Sequence, residues 1–384
     1  MTRSSLRSRS FQRILLIKLS AFGDVIHTLP LLPKLRRRYP SARIDWLITP
    51  ENADIVRHHP ALSNVIPFRR RDYSKFGRHW SATTGLLQLL QRIRQTRYDL
   101  VIDLHGQFRS AVFALATGAA VRIGFDRPRR QKPGAQHGWN GAREGSWLAY
   151  TRHIPIPTLN IHAIDRYLWL SPILGLDDDP PDFTVHVPEE AIARVERLLQ
   201  QHGLLRRKLA LIVPGTIWET KHWQVESFAE VARHLAGRGF SVVLAGTAKD
   251  KMRCQAISSA CPQACDLSGQ TTLAEFVALM RRVTISVTND SGPMHLAVAL
   301  DKPVVSIFGP TDPLRIGPYR QPRAYIRANV PCSPCDLRKL RHCPHDHACM
   351  RQVPARDVIE RIDSILVDAP TDFERSTSPI PLCG

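Results

Sequence analysis

A chain of 384 residues is longer than one hydrophobic core comfortably holds, so two domains are expected. Its hydrophobic content of 43% is normal for a globular protein, and no window approaches about 18 uninterrupted apolar residues, which argues against a transmembrane helix. The formal net charge of +19 favours an acidic partner such as a nucleic acid, an anionic membrane surface or a phosphorylated substrate, although a solvated basic surface would give the same charge.

The first half of the chain alternates short apolar strands with helices. Its first ten residues carry three Arg but lead directly into an apolar strand without a cleavage site, so they do not predict a signal peptide and a cytosolic, soluble protein is expected. Such alternation is typical of a parallel, doubly wound α/β sheet. The predicted elements are a strand over 13–19, a turn over 20–23, a helix from about 24 to 38, a strand over 44–48, a helix over 86–96, a strand over 100–103, a turn over 105–107 and a helix over 108–116.

The pattern changes in the middle of the chain. Residues 126–157 are rich in Gly, Pro and Arg and show no periodicity, which predicts a functional loop or lid. A helix is predicted over 162–174. The run Asp177–Pro181, together with Pro188, predicts the linker between the domains, and the three consecutive aspartates are expected to be solvated there.

The second half of the chain repeats the alternation. The two halves predict an N-terminal domain over 1–180, a C-terminal domain over 181–350 and a segment over 351–384 that could pack back on the N-terminal domain. Because ligands of such sheets bind outside the carboxyl ends of the strands, two facing domains predict a central cleft. The predicted strands cover 208–213, 242–245 and 284–288, and the predicted helices cover 225–236, 249–259, 273–282 and 354–367.

The most informative stretch is Val287–Pro313, which predicts a strand, a polar turn, a short helix and a second strand. A tight turn between a strand and a helix N-terminus presents unpaired backbone N–H groups and the positive end of the helix dipole. The stretch therefore predicts an anion site, most often for phosphate. Asn289, Asp290 and Ser291 are cap-type residues, and Gly292 can adopt a positive φ where the chain turns. A sugar-nucleotide or dinucleotide site is the first hypothesis.

Asp24 lies in the first helical turn after the first strand. A carboxylate at this position could take a proton from a substrate. The alternative is that it only caps the helix, where its charge matches the dipole. The glycine before it, and the lack of another candidate base so close to the first strand, favour the catalytic role.

Thr216 and Lys221 follow the first strand of the second half. A Lys at a strand end suits a point-charge contact to a diphosphate. The neighbouring Trp223 and the Pro-Gly-Thr turn favour this role over that of an ordinary surface Lys. His295 could donate to the same phosphates or only pack, and Asp290 could bind sugar hydroxyls or only cap.

Several common sites have no counterpart in the sequence. No GxGxxG follows the first strand, and neither GxxxxGK[ST] nor GxSxG occurs, which argues against a Rossmann dehydrogenase, a P-loop NTPase and a serine hydrolase. No DxD-like carboxylate pair ends a strand, which disfavours a metal-dependent nucleotide-sugar site. Four of the eight cysteines are spaced like a metal knuckle, but the second pair lacks the tight spacing of a structural zinc site. Buried thiols or an opportunistic disulfide are the alternatives for Cys332, Cys335, Cys343 and Cys349.

Several motifs resemble, in order and spacing, those of the bacterial lipopolysaccharide heptosyltransferases, glycosyltransferase family 9. They are Ile14–Pro30, Lys221–Trp223, and Thr288–Leu296 followed by Phe308–Pro313. The resemblance extends from about Arg13 to Ile365. It implies a GT-B fold, with two Rossmann-like doubly wound domains that face a central cleft and bind the acceptor and the nucleotide sugar. It also implies transfer of a heptose from ADP-heptose to the lipopolysaccharide inner core, with inversion and without a required metal or cofactor.

The motifs also imply roles for single residues. Asp24 matches the general base of the family. The donor and its phosphates are assigned to six residues of the second half: Thr216, Lys221, Asp290, Ser291, Gly292 and His295. The acceptor-side candidates lie beside Asp24 or in the basic loop: Ser20, Gly23, His27, Arg127, Arg129 and Arg130.

The implied partners are ADP-heptose and a phosphorylated lipid A–Kdo acceptor, bound by a monomer on the cytoplasmic face of the inner membrane without a specific nucleic acid. The GDVIHTLP motif resembles the enzyme that adds the first heptose to Kdo. The cysteine-rich segment 332–349 resembles the second-heptose branch, so the position of the added heptose stays open.

Two other functions stay open as well. A GT-B 2-epimerase would need further acid/base residues, and a basic nucleic-acid-binding protein would show steeply salt-dependent binding.

Overall fold

The computed structural model of the protein describes residues 6–129 and 139–368. The chain divides between Val187 and Pro188 into two compact units, and Leu314–Ile316 is grouped with the first unit. Each unit contains one parallel sheet, which confirms the α/β class predicted from the sequence. Across these two described stretches, no helix is both long and apolar enough to cross a bilayer.

The first sheet is built from short, continuously apolar strands. Such strands are typical of a parallel sheet with both faces covered, and Ile14–Ile17 is fully buried here. The strands are β1 (Arg13–Ile17), β2 (Arg43–Ile48), β3 (Asn64–Pro67), β4 (Leu100–Asp103), β5 (Val121–Phe125) and β6 (Arg152–Ile154). They lie parallel in the order β3-β2-β1-β4-β5-β6. The order reverses between β1 and β4, so the carboxyl ends of these two strands form a topological switch point, where such sheets bind ligands.

The helices of the first unit differ from the predicted ones mainly at prolines. The predicted helix over 24–38 is two helices, because Pro30 has no N–H to donate to the preceding turn. The predicted helix over 162–174 is likewise interrupted, shortly before Pro172. The helices are α1 (Phe22–Thr28), α2 (Leu31–Arg38), α3 (Pro50–Ala53), α4 (Arg70–Tyr73), α5 (Trp80–Gln95), α6 (Phe108–Ala116), α7 (Ala163–Leu168) and α8 (Ser171–Leu174), with 3-10 helices at Leu6–Ser8 and Ser146–Ala149.

The segment 126–157, predicted to be an irregular loop, contains regular structure in its second part. Ser146–Ala149 is a 3-10 helix, and β6 pairs with β5 from Ile123↔Arg152 to Phe125↔Ile154. A strand of three residues is too short to produce a visible period in the sequence, which explains the error.

Asp177, predicted to be solvated in the linker, is instead an ion-pair partner. Its carboxylate accepts from the buried Lys34 Nζ at 2.8 Å and from Arg37 Nε at 3.0 Å. Lys34 Nζ also donates to the backbone carbonyls of Asp177 and Asp179. The acidic run therefore supplies the hydrogen-bond acceptors for the buried Lys34 ammonium of α2. Its polar composition alone predicted a solvated linker and gave no sign of this contact.

The second sheet repeats the topology of the first. Its strands are β7 (Leu209–Val213), β8 (Ser241–Leu244), β9 (Cys265–Asp266), β10 (Val283–Asn289), β11 (Val304–Phe308) and β12 (Tyr325–Arg327). They lie parallel in the order β12-β11-β10-β7-β8-β9, which is the order of the first sheet read from the other side. The reversal falls between β7 and β10, so the carboxyl ends of these strands form the second switch point.

The four longer helices predicted in the second half agree closely with the structure, whereas the helix Glu189–Gln201 was not predicted. The last, α16, packs against α10 and β11, so its residues belong to the second unit. The helices are α9 (Glu189–Gln201), α10 (Val225–Gly237), α11 (Lys251–Ala260), α12 (Leu273–Arg282), α13 (Gly292–Ala299), α15 (Ala348–Arg351) and α16 (Ala355–Asp368), with 3-10 helices at Glu219–Lys221, Ala248–Asp250, Pro322–Ala324 and Leu340–His342. The short helix α14 (Pro313–Ile316) follows α13 in the chain, but three of its four residues are grouped with the first unit.

Candidate active site

Asp24 is the third residue of α1 and lies just beyond the carboxyl end of β1, at the first switch point. Its Oδ2 accepts a hydrogen bond from the backbone N–H of Ala21 at 3.3 Å, which is the capping contact expected for an acidic residue in a first helical turn. The side chain nevertheless stays 40% exposed. The capping contact therefore leaves part of the carboxylate accessible.

A buried lysine lies beneath this carboxylate. Lys18 Nζ is 3.6 Å from Asp24 Oδ2, and it donates to the Tyr167 hydroxyl at 2.6 Å and to the Leu104 carbonyl at 3.2 Å. The Tyr167 hydroxyl in turn donates to Asp24 Oδ1 at 3.2 Å. The first-unit site is thus a connected triad of Lys18, Tyr167 and Asp24.

The charges around the triad keep Asp24 ionised. Burial alone would raise the pKa of Asp24, but the positive charges of Lys18 and Arg166 outweigh it and lower the pKa below its ordinary value. Burial would lower the pKa of Lys18, but Asp24 and Tyr167 raise it above the ordinary value. Burial and the Lys18 charge lower the pKa of the neighbouring His105 to about 3. At neutral pH the site therefore holds a carboxylate, an ammonium and a neutral imidazole.

The acceptor-side candidates have different surroundings. Ser20 and Gly23 are half-buried beside Asp24. His27 is buried, and its ring packs edge-on against that of His162 with 5.4 Å between centroids.

The arginines of the basic loop are placed only in part. Arg127 is exposed, and its backbone N–H bonds to the Asp126 carboxylate. The Arg129 guanidinium donates to the Ile156 and Pro157 carbonyls at 2.9 and 2.5 Å. Arg130 lies outside the described residues.

Lys18, Tyr167 and Arg166 were not predicted as site residues. Lys18 offered one signal, a charged residue directly after four buried apolar residues of β1. Tyr167 and Arg166 lie more than a hundred residues away on α7, and nothing in their local sequence distinguishes them. Arg166 is buried and stacks over Trp139, with 4.0 Å from its guanidinium carbon to the ring centroid.

The second-unit site contains a tight, buried ion pair. Lys221 Nζ is 2.6 Å from Asp290 Oδ2, and the Thr311 hydroxyl donates to the same oxygen. Asp290 is almost completely buried. Its carboxylate therefore orients Lys221 and Thr311. Lys221 Nζ also lies 4.4 Å from the centre of the Trp218 ring, which leaves the ammonium a restricted direction in which to reach a ligand.

The turn that follows β10 leads straight into α13, which begins at Gly292. Gly292 does not have a positive φ, contrary to the prediction, because it is already the first helical residue. Ser291 is the N-cap by position, but its hydroxyl donates to the Asn289 carbonyl at 3.2 Å and does not cap the helix. The first N–H groups of an α-helix have no partner within it, so this end of α13 offers donors for an anion.

Asn289 connects the loops of the second switch point. Its side chain accepts from the Trp223 backbone N–H at 3.1 Å and donates to the Pro214 carbonyl at 2.8 Å. The residue predicted as a cap is thus a cross-link between the ends of β10 and β7 and the segment after Lys221. Trp223 is buried and donates its indole N–H to the Val353 carbonyl at 2.9 Å, so it belongs to the core.

The two remaining donor candidates lie at the same edge. Thr216 is half-buried, three residues beyond the end of β7. His295 is buried in the first turn of α13.

The cysteine-rich segment supports the Lys221 loop. The Thr220 hydroxyl donates to the Leu337 carbonyl at 2.5 Å, and the His347 ring nitrogen lies 2.7 Å from the Thr220 carbonyl. The Arg338 guanidinium stacks over Trp218 at 4.6 Å, on the same ring as Lys221. All cysteines in the described ranges are free thiols, and no group of three His, Cys, Asp or Glu side chains there is arranged to hold a metal ion.

Comparisons with known proteins agree with this fold and with these motifs. The family described as "Glycosyltransferase family 9 (heptosyltransferase)" matches residues 86–344. The chain is 31% identical to lipopolysaccharide heptosyltransferase 1 of Pseudomonas aeruginosa over 333 residues, which are 84% of this chain and 86% of that protein.

Two solved structures share the architecture. A glycosyl transferase family 9 protein from Veillonella parvula has a TM-score of 0.73 at 21% identity and covers 94% of this chain and 98% of its own. The E. coli heptosyltransferase WaaC with ADP-2-deoxy-2-fluoro heptose has a TM-score of 0.70 at 24% identity and covers 92% of this chain and 100% of its own. At these identities, the two structures support the fold alone.

Proposed function

This chain belongs to glycosyltransferase family 9, the heptosyltransferase family, and we propose that it transfers a heptose from ADP-heptose to the inner core of lipopolysaccharide. The observation that carries the proposal is the ionised Asp24, held at the first switch point by Lys18 and Tyr167. The relative from Pseudomonas aeruginosa is named a lipopolysaccharide heptosyltransferase, which supports the choice of the transferred sugar and of the acceptor class.

In this proposal, Asp24 is the general base. The hydroxyl of a sugar acceptor has a pKa far above 7, so it attacks only if a positioned group takes its proton as the C–O bond forms. A carboxylate with a lowered pKa is a weak base but is always in the unprotonated form at neutral pH. Proton transfer would then accompany late bond formation, when the acceptor oxygen is most acidic.

Lys18 and Tyr167 position the base. Together they fix both carboxylate oxygens of Asp24 while leaving 40% of its side chain exposed to an acceptor. When the carboxylate takes up a proton, the ammonium of Lys18 loses its counter-charge, which helps return the proton to solvent after transfer.

The second-unit site binds the donor diphosphate in this proposal. Negative charge grows on the leaving ADP as the glycosidic bond breaks, and the heptose ring takes on oxocarbenium character. Lys221 and the N-terminal end of α13 supply positive charge and N–H donors for those phosphates. A single displacement of ADP by the acceptor oxygen inverts the anomeric centre.

The acceptor and the location of the enzyme are further parts of the proposal. We infer a phosphorylated lipid A–Kdo type acceptor and peripheral association with the cytoplasmic face of the inner membrane, by a monomer. The formal net charge of +19 supports both inferences, because lipid A phosphates, Kdo carboxylates and anionic phospholipids are all acidic.

The test is incorporation of heptose from ADP-heptose into a panel of truncated lipid acceptors. We expect transfer to acceptors that end in Kdo or in the first heptose, and the length of the best acceptor would identify the position of the added heptose. Release of an epimerised sugar from ADP-heptose alone, without transfer to any acceptor, would instead support a 2-epimerase.

A further inference from the structure

We propose that the segment Arg69–Trp80, together with Phe108 and Arg109 at the start of α6, forms a surface that docks on an anionic lipid bilayer. We call it the α4–α5 surface. The inference deepens the proposed function, since it names the part of the protein that would meet the membrane carrying the lipid acceptor.

The α4–α5 surface exposes large apolar side chains. No residue of α4 is buried, and nearly the whole segment 69–81 is exposed. Within it, Trp80 is 83% exposed and Phe76 is 51% exposed, and Phe108 is 63% exposed on the neighbouring helix. Single exposed apolar residues are common, but these three aromatic residues lie on or between helices that contact one another, α4 with α5 and α5 with α6, and such a grouping indicates an interaction site.

The same surface is strongly basic. Between positions 69 and 80 there is a single acidic residue, Asp72, against five basic ones: Arg69, Arg70, Arg71, Lys75 and Arg78. Arg109 lies close enough to Arg70 for the two charges to interact: burial and the charge of Arg70 lower the pKa of the Arg109 guanidinium, while Glu144 acts in the opposite direction. The basic residues here outnumber the nearby acidic ones, Asp72 and Glu144, which favours an anionic surface as the occupant.

The position of the surface is consistent with a lipid acceptor. Helix α4 follows β3, and α6 follows β4, so both begin at the carboxyl edge of the first sheet. Asp24 follows β1 at that same edge. A bilayer bound by the α4–α5 surface would therefore lie on the side of the first unit where the base is exposed.

The combination of side chains favours a lipid bilayer over a soluble partner. Trp is enriched at membrane interfaces, where its ring enters the headgroup layer while its N–H stays hydrated. Short interfacial segments bind by adding buried apolar area to the attraction between Lys or Arg and anionic lipids. Inorganic phosphate or the backbone of duplex nucleic acid would account for the arginines but not for the exposed Phe76 and Trp80.

The experiment measures binding of the full-length protein to vesicles in the absence of donor and acceptor. The probe is sedimentation with phosphatidylcholine vesicles that do or do not contain phosphatidylglycerol. We expect binding only with phosphatidylglycerol, and weaker binding at higher salt. The variant Phe76→Ser with Trp80→Ser removes the apolar part, and Arg70→Gln with Arg71→Gln and Lys75→Gln removes much of the charge.

Each variant should lower the partition coefficient by about tenfold or more. The matched control is Met252→Ser with Val367→Ser, two similarly exposed apolar residues of the second unit, which should bind as the parent protein does. Parent-like binding by both surface variants, or an equal loss in the control, would overturn the proposal. A third outcome would also overturn it. If inorganic phosphate displaces the protein from vesicles more strongly than another salt of the same ionic strength, the surface contains a phosphate site.

A second measurement separates this inference from the proposed function. With a deacylated, water-soluble acceptor, the surface variants should keep the kcat/KM of the parent enzyme, whereas transfer to the same acceptor embedded in vesicles should fall in parallel with vesicle binding. If no heptose is transferred by any form of the protein but vesicle binding follows the expected pattern, the proposed function fails and the docking surface stands. If both surface variants bind duplex DNA less tightly and vesicles as before, the surface belongs to nucleic acid.

Discussion

Lys18 Nζ and Asp24 Oδ2 are 3.6 Å apart, with the ammonium buried and the carboxylate partly exposed. The two side chains therefore differ in what they can reach. The buried ammonium of Lys18 balances the charge of Asp24 from inside the protein, whereas the carboxylate of Asp24 has an exposed face that can take a proton from a substrate.

The substitution Asp24→Asn should abolish transfer and leave donor binding intact. The amide has the shape of the carboxylate but cannot accept the proton of the acceptor hydroxyl, so kcat should fall by about a hundredfold or more. Transfer assays give the rate, and titration calorimetry with ADP gives the donor affinity, which should be unchanged. Parent-like turnover would remove Asp24 from the role of base.

Replacing Lys18 by Met should shift the pH dependence of transfer. The parent Asp24 has a lowered pKa, so the base stays ionised, and active, until the pH falls below the ordinary range of an aspartate. Without the ammonium the pKa of Asp24 rises, and the acid limb of kcat/KM should move to higher pH by about one unit. The apolar side chain of Met fills a similar volume, which protects the fold. An unmoved acid limb at a lower rate would mean that Lys18 acts only on structure.

Lys221→Ala should weaken ADP binding and also destabilise the second unit. The substitution removes a positive charge from the proposed phosphate site and leaves the Asp290 carboxylate buried without its ion-pair partner. Titration calorimetry measures the first effect, and thermal unfolding measures the second. Lys221→Ala combined with Asp290→Asn should recover stability but not ADP affinity, whereas the exposed Lys251→Ala should change neither.

Asn289→Ala should cost about 2 kcal/mol of unfolding free energy, since two buried hydrogen bonds, to the Trp223 N–H and the Pro214 carbonyl, are lost together. ADP affinity should fall as well, because these bonds hold the turn against the Lys221 loop. Asn289→Asp keeps an acceptor for Trp223 and should be less harmful than Ala in chemical denaturation. Equal stability of all three forms would show that Asn289 does not link the two loops.

Asp177→Asn should destabilise the protein at neutral pH by about 2 kcal/mol, a value reduced for the partial exposure of the carboxylate. Hydrogen bonds from Arg37 and Lys34 hold the pKa of Asp177 well below its ordinary value. Such a group contributes stability above its unfolded pKa of about 4, and this contribution is lost as the pH falls through the folded pKa. The difference in unfolding free energy between parent and variant should therefore shrink at acidic pH. A constant difference from neutral to acidic pH would exclude ionisation as its cause.

The sequence predicts the fold class and several ends of strands, because buried parallel strands are short apolar runs that polar turns interrupt. It also places Asp24, Lys221 and Asp290 at strand ends, where the structure has them. The strands β3, β5, β6, β9 and β12 were not predicted, and the shortest of them, with two or three residues, carry no visible period.

The relationships between distant residues could not be predicted. Tyr167 reaches Asp24 across 143 residues, and Asn289 reaches Pro214 across 75, and neither pair leaves a local pattern in the chain. Gly292 was misjudged for a different reason. A glycine after a polar turn suggests a positive φ, but Pro293 can follow directly in the first turn of a helix, which makes Gly292 helical as well.

The contact between Lys34 and the run 177–179 has a practical consequence for dissecting the molecule. A fragment of the first unit that ended before residue 177 would keep the buried ammonium of Lys34 on α2 but would lack all three oxygen atoms that accept its hydrogen bonds. Such a fragment would fail to fold for a reason unrelated to the sheet. An expression boundary placed at Val187 keeps the acceptors and coincides with the division between the two units.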